Sequence, residues 1–511
     1  MLPRFPVPFH VSILAVWVAL FSAVEGRGEV RLPAIFSPHA VLQRSAATVV
    51  WGWAAPGEEV RVTLGKVSAT VTANAAGKWK VSLDLAQVEE GPWALTVTGR
   101  QPNGVSVLGM EDVLVGEVWM SSGQSNMQFT LNATTGGAAE MARAENPNLR
   151  WFLPAKTKPG YLPPQEALEG RWVVSSPETA GDCSGVAYYF GKKLQADLDA
   201  PVGLVLTAVG GTTIQAWMSD EALSSEPELQ RVRDEARAKL ANGKKRKPRP
   251  EMAPSFFYNQ LIYPLAGLTL RGVIWYQGEA HFNEGEFYRR AFPALIRDWR
   301  RMWQQPELPF YYCQLPNLDV KTPDPAMEGW VAGLREAQDS GLQEPQTGEA
   351  ILIDAGGVDL HPPQKEIVGE RLARLAEAGT YGRAVAAQSP RFASMDVVGG
   401  RLRIRFKSGA GGLAVRDLAK GTTPNVPESV VQGFAICGED QRWHWARAEI
   451  DGDSVIVWSP EVTRPTAVRY AWGNNPTCNL YDQDELPAAP FRATVSQKAA
   501  ESRGKDAAPN R

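Results

Sequence analysis

Residues 113–129 read VLVGEVWMSSGQSNMQF, and how they are read decides the fold. Val113 to Met120 is a nearly continuous apolar run, as in a strand covered on both faces. It then breaks into small polar residues around Ser125. Such a break makes either a plain connecting loop or a turn that presents a reactive hydroxyl, and a serine there would also serve as the cap of a following helix. The rest of the chain has to separate these readings.

Working outward, four more apolar runs share the character of the first: PVGLVLTAV (201–209), RGVIWY (271–276), LPFYYCQL (308–315) and EAILIDA (349–355). Between and after them lie stretches with helical periodicity, at 185–198, 287–303, 330–342 and 364–378. Continuous apolar strands alternating with helices predict a parallel sheet covered on both faces, an α/β fold, over residues 113–388. A segment at about 218–254 with helix-like and basic character, including GKKRKPRP (243–250), reads as an insertion with a solvated basic loop.

The flanks differ. From 27 to 112, short alternating segments such as ATVVWGWA, EEVRVTL and GKWKVSL, separated by turn residues, predict a β-sandwich. From 389 to 495, RLRIRF, GFAICG, SVIVWS and AVRYAW predict a second β-rich region, and the polar segment 496–511 a disordered tail. Residues 1–26 carry Arg4, an apolar core from Val11 to Val24, and small residues at Val24 and Gly26. This reads as a secretory signal peptide, which places the mature protein outside the cytoplasm, secreted or periplasmic and free of the membrane.

The 511 residues are 44% apolar and 21% charged with a net charge of −3, so no global field favours nucleic acid. The four cysteines, at 183, 313, 437 and 478, lack metal-binding spacing, and Cys437 with Cys478 is the pair to test for a disulfide. No metal or organic cofactor is expected, and the sequence does not give the oligomeric state.

Four polar segments each follow a predicted strand: 121–127, 210–213, 277–283 and 356–361. Parallel α/β sheets gather ligands at the carboxyl ends of their strands, so all four converge on one edge. A serine hydroxyl needs a base. Of five histidines, His10 lies in the signal peptide and His39 and His444 in the β regions, leaving His281 and His361. His361 follows Asp359 by two residues, and a carboxylate can fix an imidazole tautomer and stabilise its cation. Asp354 is the runner-up acid.

The motifs GEVWMSSGQSNM, GGTTIQAW, GVIWYQGEAHFNEGEFYRRAFPALIRDWRRMW and DLHPPQKEIVGERLA resemble the sialate O-acetylesterases. These are a branch of the SGNH hydrolases with a three-layer α/β/α core, and the resemblance extends from about Leu32 to Arg492. It implies Ser125 as nucleophile, His361 as general base and an acetylated carbohydrate, sialic acid above all, as substrate. Gly211 matches an oxyanion-hole donor. Gln277, Glu279, Gln124 and Asn126 belong by the same resemblance to the oxyanion hole, its support or substrate binding. The chain departs from the family in two places. Ala280 and His281 follow Glu279 where the family reads Ser-Asn, and His281 is read as structural. Three residues before His361, where many SGNH enzymes carry the acid, stands Val358, leaving Asp359 as the nearest carboxylate, or a backbone carbonyl, to orient the ring.

Two other classes remain open. A non-catalytic glycan-binding protein would suit 17 tryptophans and two β regions, and an acetylxylan esterase would act on plant polysaccharide. A peptidase or lipase fits less well, because Ser125 is not in G-x-S-x-G and no apolar lid is evident.

Overall fold

The computed structural model describes residues 30–102, 104–158, 163–241, 253–321, 324–407, 412–416 and 430–495. The segments read as a signal peptide (1–26), a basic loop (243–250) and a polar tail (496–511) fall outside these residues.

The strand Gly104–Gly123 organises the molecule. Its first half alternates between exposed and partly buried residues, and from Val113 to Gly123 every residue is buried. The first half pairs antiparallel with Trp93–Gln101 in the N-terminal β region. The second half sits at the centre of a seven-strand array in the order Thr347–Ala350, Phe310–Cys313, Gly272–Tyr276, Gly104–Gly123, Val202–Leu206, Asn146–Pro154, Gly170–Ser175. All neighbours are parallel except the last pair. One strand thus belongs to both the β region and the α/β sheet, crossing the boundary expected at 112/113. The change in composition there marks a change in what covers the strand, not its end. Asn146–Pro154 and Gly170–Ser175 carry little strand signal in the sequence. Their apolar runs are short, and Pro147 and Pro154 argue against a strand except at or near a sheet edge, where these two lie.

Side-chain alternation places the helices. Trp119 is register partner of Gly272 and Trp275 of Ser122, so the two tryptophans project from opposite faces. Trp119 packs edge-on to Phe190 of helix Gly185–Leu198 at 5.2 Å. Trp275 packs edge-on to Trp299 of helix Gly285–Trp303 at 5.6 Å. Each of these helices has a partner, Lys365–Gly379 and Trp330–Gln338 respectively. Gly369 allows the first pair to approach closely, since a Cβ there would stand 2.7 Å from the Phe190 nitrogen. The result is a parallel sheet between helical layers.

Among the described residues the C-terminal region forms two four-stranded antiparallel sheets and a two-stranded pair of Leu413–Val415 with Leu480–Asp482. Their core includes Ile351 and Ile353, which directly follow the last parallel strand. All four cysteines are free thiols, so the Cys437–Cys478 bridge is not formed. Cys437 faces Trp443 and Ala467 across its sheet, while Cys478 lies against Gly433.

Arg335, 1% exposed, ties this region to the sheet. Its guanidinium donates to the carbonyls of Leu315 (2.8 Å), Pro316 (2.6 Å), Gly473 (2.7 Å) and Asn474 (2.9 Å). Burial holds it down, at about 9, yet it keeps its proton at neutral pH. Each buried carbonyl left without a donor costs about 1–3 kcal/mol, so Arg335→Met is expected to lose at least ~3 kcal/mol of unfolding free energy. Urea titration of wild type and variant checks this, and a loss below about 1 kcal/mol would contradict it.

Candidate active site

The four polar segments meet at the carboxyl edge of the sheet. Ser125 opens a four-residue helical turn directly after the long strand, and Gln124, not Ser125, holds the cap position. Its hydroxyl is engaged elsewhere, with Ser125 Oγ lying 2.8 Å from His361 Nε2. The His361 ring stacks near Phe129, at 6.3 Å and 26° between planes. Burial, and then the charge of Lys365, holds this imidazole below its ordinary value, which keeps it neutral and able to accept a proton.

The 210–213 loop closes on Ser125 from the neighbouring strand. A Cβ on Gly210 would come within 3.2 Å of Ser125 Cβ, and the Gly210 N–H donates to Gln128 Oε1 at 2.8 Å. Gly211 has φ +72°, a conformation that favours glycine. Two buried side chains brace this loop. Gln277 donates from Nε2 to the Thr212 carbonyl at 3.1 Å. His281 accepts from the Ile214 N–H through Nε2 at 2.9 Å and donates from Nδ1 to Glu284 at 2.7 Å. That fixes its tautomer and makes it a strut. Gln124 Oε1 accepts from the N–H groups of Gly278 (3.4 Å) and Ala280 (3.3 Å), joining the serine turn to the 277–281 segment.

Asn126 is less available than its sequence position suggests. Its Nδ2 donates to Glu279 Oε1 and to the Leu360 carbonyl (3.0 Å), so both amide hydrogens are committed. Its Oδ1 accepts from Lys365 Nζ at 2.5 Å. Neither contact is visible in the sequence, where Lys365 simply falls in the periodic segment 364–378. It is 1% exposed, with Nζ 5.0 Å from the centre of the Phe129 ring and 5.4 Å from that of Tyr276. Burial brings its ammonium down to about 8 against the opposing pull of Glu279, and burial pushes the Glu279 carboxyl up against Asn126 and Lys365. A lysine two residues after a proline pair gives no sequence signal of burial.

Neither carboxylate named from sequence pairs with His361. Asp359 is exposed and makes no hydrogen bond to the ring. Asp354 is taken by Arg371 (2.6 and 2.7 Å) and the Tyr481 hydroxyl (3.0 Å). The backbone from 356 to 364 is irregular, so the same-face relation that residues two apart have in a strand does not hold between Asp359 and His361.

A serine hydroxyl bonded to a neutral imidazole, beside a glycine turn at the carboxyl edge of a parallel sheet, is the arrangement of α/β ester hydrolases. Residues 115–374 match the family described as carbohydrate esterase, sialic acid-specific acetylesterase, and the chain belongs to that family. It is 28% identical to the mouse sialate O-acetylesterase, over 96% of this chain and 99% of the relative. With the human sialate O-acetylesterase it shares 27% identity over 90% and 91%. A carbohydrate acetylesterase from Xanthomonas citri superposes with TM-score 0.79 at 37% identity, covering 91% of this chain and all of that one. The protein is thus an esterase of a family that removes O-acetyl groups from carbohydrate. Among the described residues no helix is long and apolar enough to cross a membrane.

Lys365→Met tests the electrostatics. Activity through His361 requires the neutral ring, so it rises as pH passes above the imidazole's pKa. Removing the ammonium raises that pKa, and the acid limb of kcat/KM is expected to move to higher pH. An unmoved limb in a folded variant would show that Lys365 does not act on His361.

Proposed function

We propose that this protein is an exported O-acetylesterase that removes acetyl groups from sialic acid or a related acetylated glycan through an acetyl-enzyme on Ser125. The observation that carries this reading is the 2.8 Å contact between Ser125 Oγ and His361 Nε2. His361 takes the hydroxyl proton as Ser125 attacks the acetyl carbonyl, then returns it to the departing sugar oxygen. Water, activated by the same imidazole, releases acetate. The negative charge on the attacked carbonyl oxygen is met by the backbone N–H groups of Ser125 and Gly211. Donors of this kind contribute about 2.7–4 kcal/mol each. Gln277 and His281 hold the loop that carries Gly211, and Asn126, Glu279 and Lys365 hold the serine turn. Asp359 has no share in the proton transfer. Export rests on Arg4 and the apolar core from Val11 to Val24.

Beside the site lies a cleft of about 880 Å³. Thr213 of the glycine loop and Phe282, next to His281, form part of its wall, and Trp330 stands edge-on to Phe282 at 4.1 Å. Its wall carries six glutamates against four basic residues. That balance disfavours an acidic sugar and supports a second reading, in which the substrate is a neutral acetylated glycan.

Acetate release from O-acetylated sialic acid and from acetylated neutral polysaccharides separates the two readings. Ser125→Ala is expected to lower turnover on the order of 10⁴–10⁶-fold with the fold intact, as for removal of a serine nucleophile. Near-wild-type turnover by that variant would sink the mechanism. An essential triad acid costs about 10⁴-fold when neutralised, whereas Asp359→Asn is expected to stay within about tenfold of wild type. Trp330→Ala is expected to raise KM for the preferred glycan while leaving hydrolysis of 4-nitrophenyl acetate unchanged; equal effects on both would remove the cleft from substrate binding.

A further inference from the structure

We propose that the seam between the N-terminal β region and the α/β sheet is a second saccharide-binding site, separate from Ser125, that takes a pyranose ring of a glycan. The inference rests on the reading of the protein as a carbohydrate esterase. The site is a cavity of about 310 Å³ whose wall includes Trp51, Trp53, Trp79, Lys80 and Tyr263. That volume lies at the lower end of the range for small-molecule sites. None of the residues around Ser125 lines it.

The aromatic groups are held in place and still partly open. In the antiparallel pair Thr48–Trp53 and Lys78–Leu83, Trp51 is register partner of Lys80 and Trp53 of Lys78, so these four side chains share one face. Trp51 is braced edge-on by Phe36 at 4.7 Å, and the Arg31 guanidinium lies 5.8 Å from the centre of the Trp53 ring. Both tryptophans remain half-buried, and Tyr263, from the opposite wall, is 40% exposed. Trp79 is 3% exposed, and its Nε1 has no partner among the described residues.

Packing alone does not account for this arrangement. Aromatic residues that glue two regions together close their seam, as Trp119 and Trp275 do in the central sheet at 0% and 1% exposure. Here the rings border a cavity with a polar rim. Lys78 pairs with Glu166 at 2.5 Å, while Lys80 has no ion pair among the described residues. Rigid aromatic faces suit the C–H faces of a pyranose, and the rim suits its hydroxyls. The unpaired Lys80 ammonium adds a contact for a sugar carboxylate, so the ring can come from a neutral or a sialylated glycan.

The test is calorimetric titration of the full Ser125→Ala chain, which cannot turn substrate over, with cellohexaose, xylohexaose and sialyllactose, repeated with Trp53→Ala and Lys80→Ala added. Trp53→Ala is expected to weaken the bound oligosaccharide about tenfold, near the upper end of what one aromatic contact is worth. If Lys80→Ala weakens only sialyllactose, the occupant is acidic; if Trp53→Ala alone weakens cellohexaose or xylohexaose, it is neutral. In chains with Ser125 intact, both variants are expected to hydrolyse 4-nitrophenyl acetate as wild type does. Failure of the wild type to deacetylate any glycan would overturn the substrate reading and leave this binding comparison to decide the second site. Binding of every oligosaccharide unchanged by Trp53→Ala in a folded chain, or no binding by the parent, would overturn the proposal.

Discussion

Eleven consecutive buried residues, Val113 to Gly123, constrain everything around them. Such a run has no solvent face, so it requires hydrogen-bonded strands on both sides and helices above and below. Meeting those demands builds the parallel sheet. The strand's carboxyl end then delivers Ser125 to the edge where the 210–213 and 277–281 segments also emerge, each from a neighbouring strand. Because the same strand continues backward into the N-terminal β region, that region is anchored to the catalytic sheet by backbone hydrogen bonds and not by a linker.

The site inherits its rigidity from groups that do not touch the Ser125–His361 pair. Asn126, with its amide committed to Glu279 and Leu360 and its carbonyl to Lys365, fixes the turn on which Ser125 stands. Burying an ammonium and a carboxyl together is costly unless each is hydrogen-bonded, and here one asparagine bonds both. The same cluster places positive charge near His361, which, after burial, favours the neutral imidazole that the proposed role of this ring requires. Positioning and electrostatic tuning therefore come from the same three side chains.

Much of this was legible in the sequence because it rests on contrasts of polarity. Four of the five apolar runs became strands over half or more of their length, while the fifth, at 349–355, overlaps the strand Thr347–Ala350 only at its start and sends Ile351 and Ile353 into the C-terminal core. The periodic segments became helices within a few residues of the expected bounds, and polar residues after the strands came together at one edge. Ser125 and His361 stood out by chemistry and by resemblance to a family. Three features were hidden for physical reasons. The continuity of Gly104–Gly123 is invisible because a strand can change its covering without ending. The burial of Lys365 depends on Phe129, Tyr276 and Asn126, which are far from it in sequence, and a lysine in the first turn of a helix ordinarily reads as solvated. The separation of Asp359 from His361 depends on an irregular backbone between them, which residue spacing does not encode.

The central claim is that acetyl passes through Ser125, whose hydroxyl proton goes to the imidazole 2.8 Å away. Rapid acid quench during turnover of an acetylated substrate, followed by peptide mass spectrometry, tests it most directly. The account predicts a burst of released alcohol matched by an acetyl group on the peptide that contains Ser125. Acetyl on another residue, or a burst with Ser125 unmodified, would contradict it.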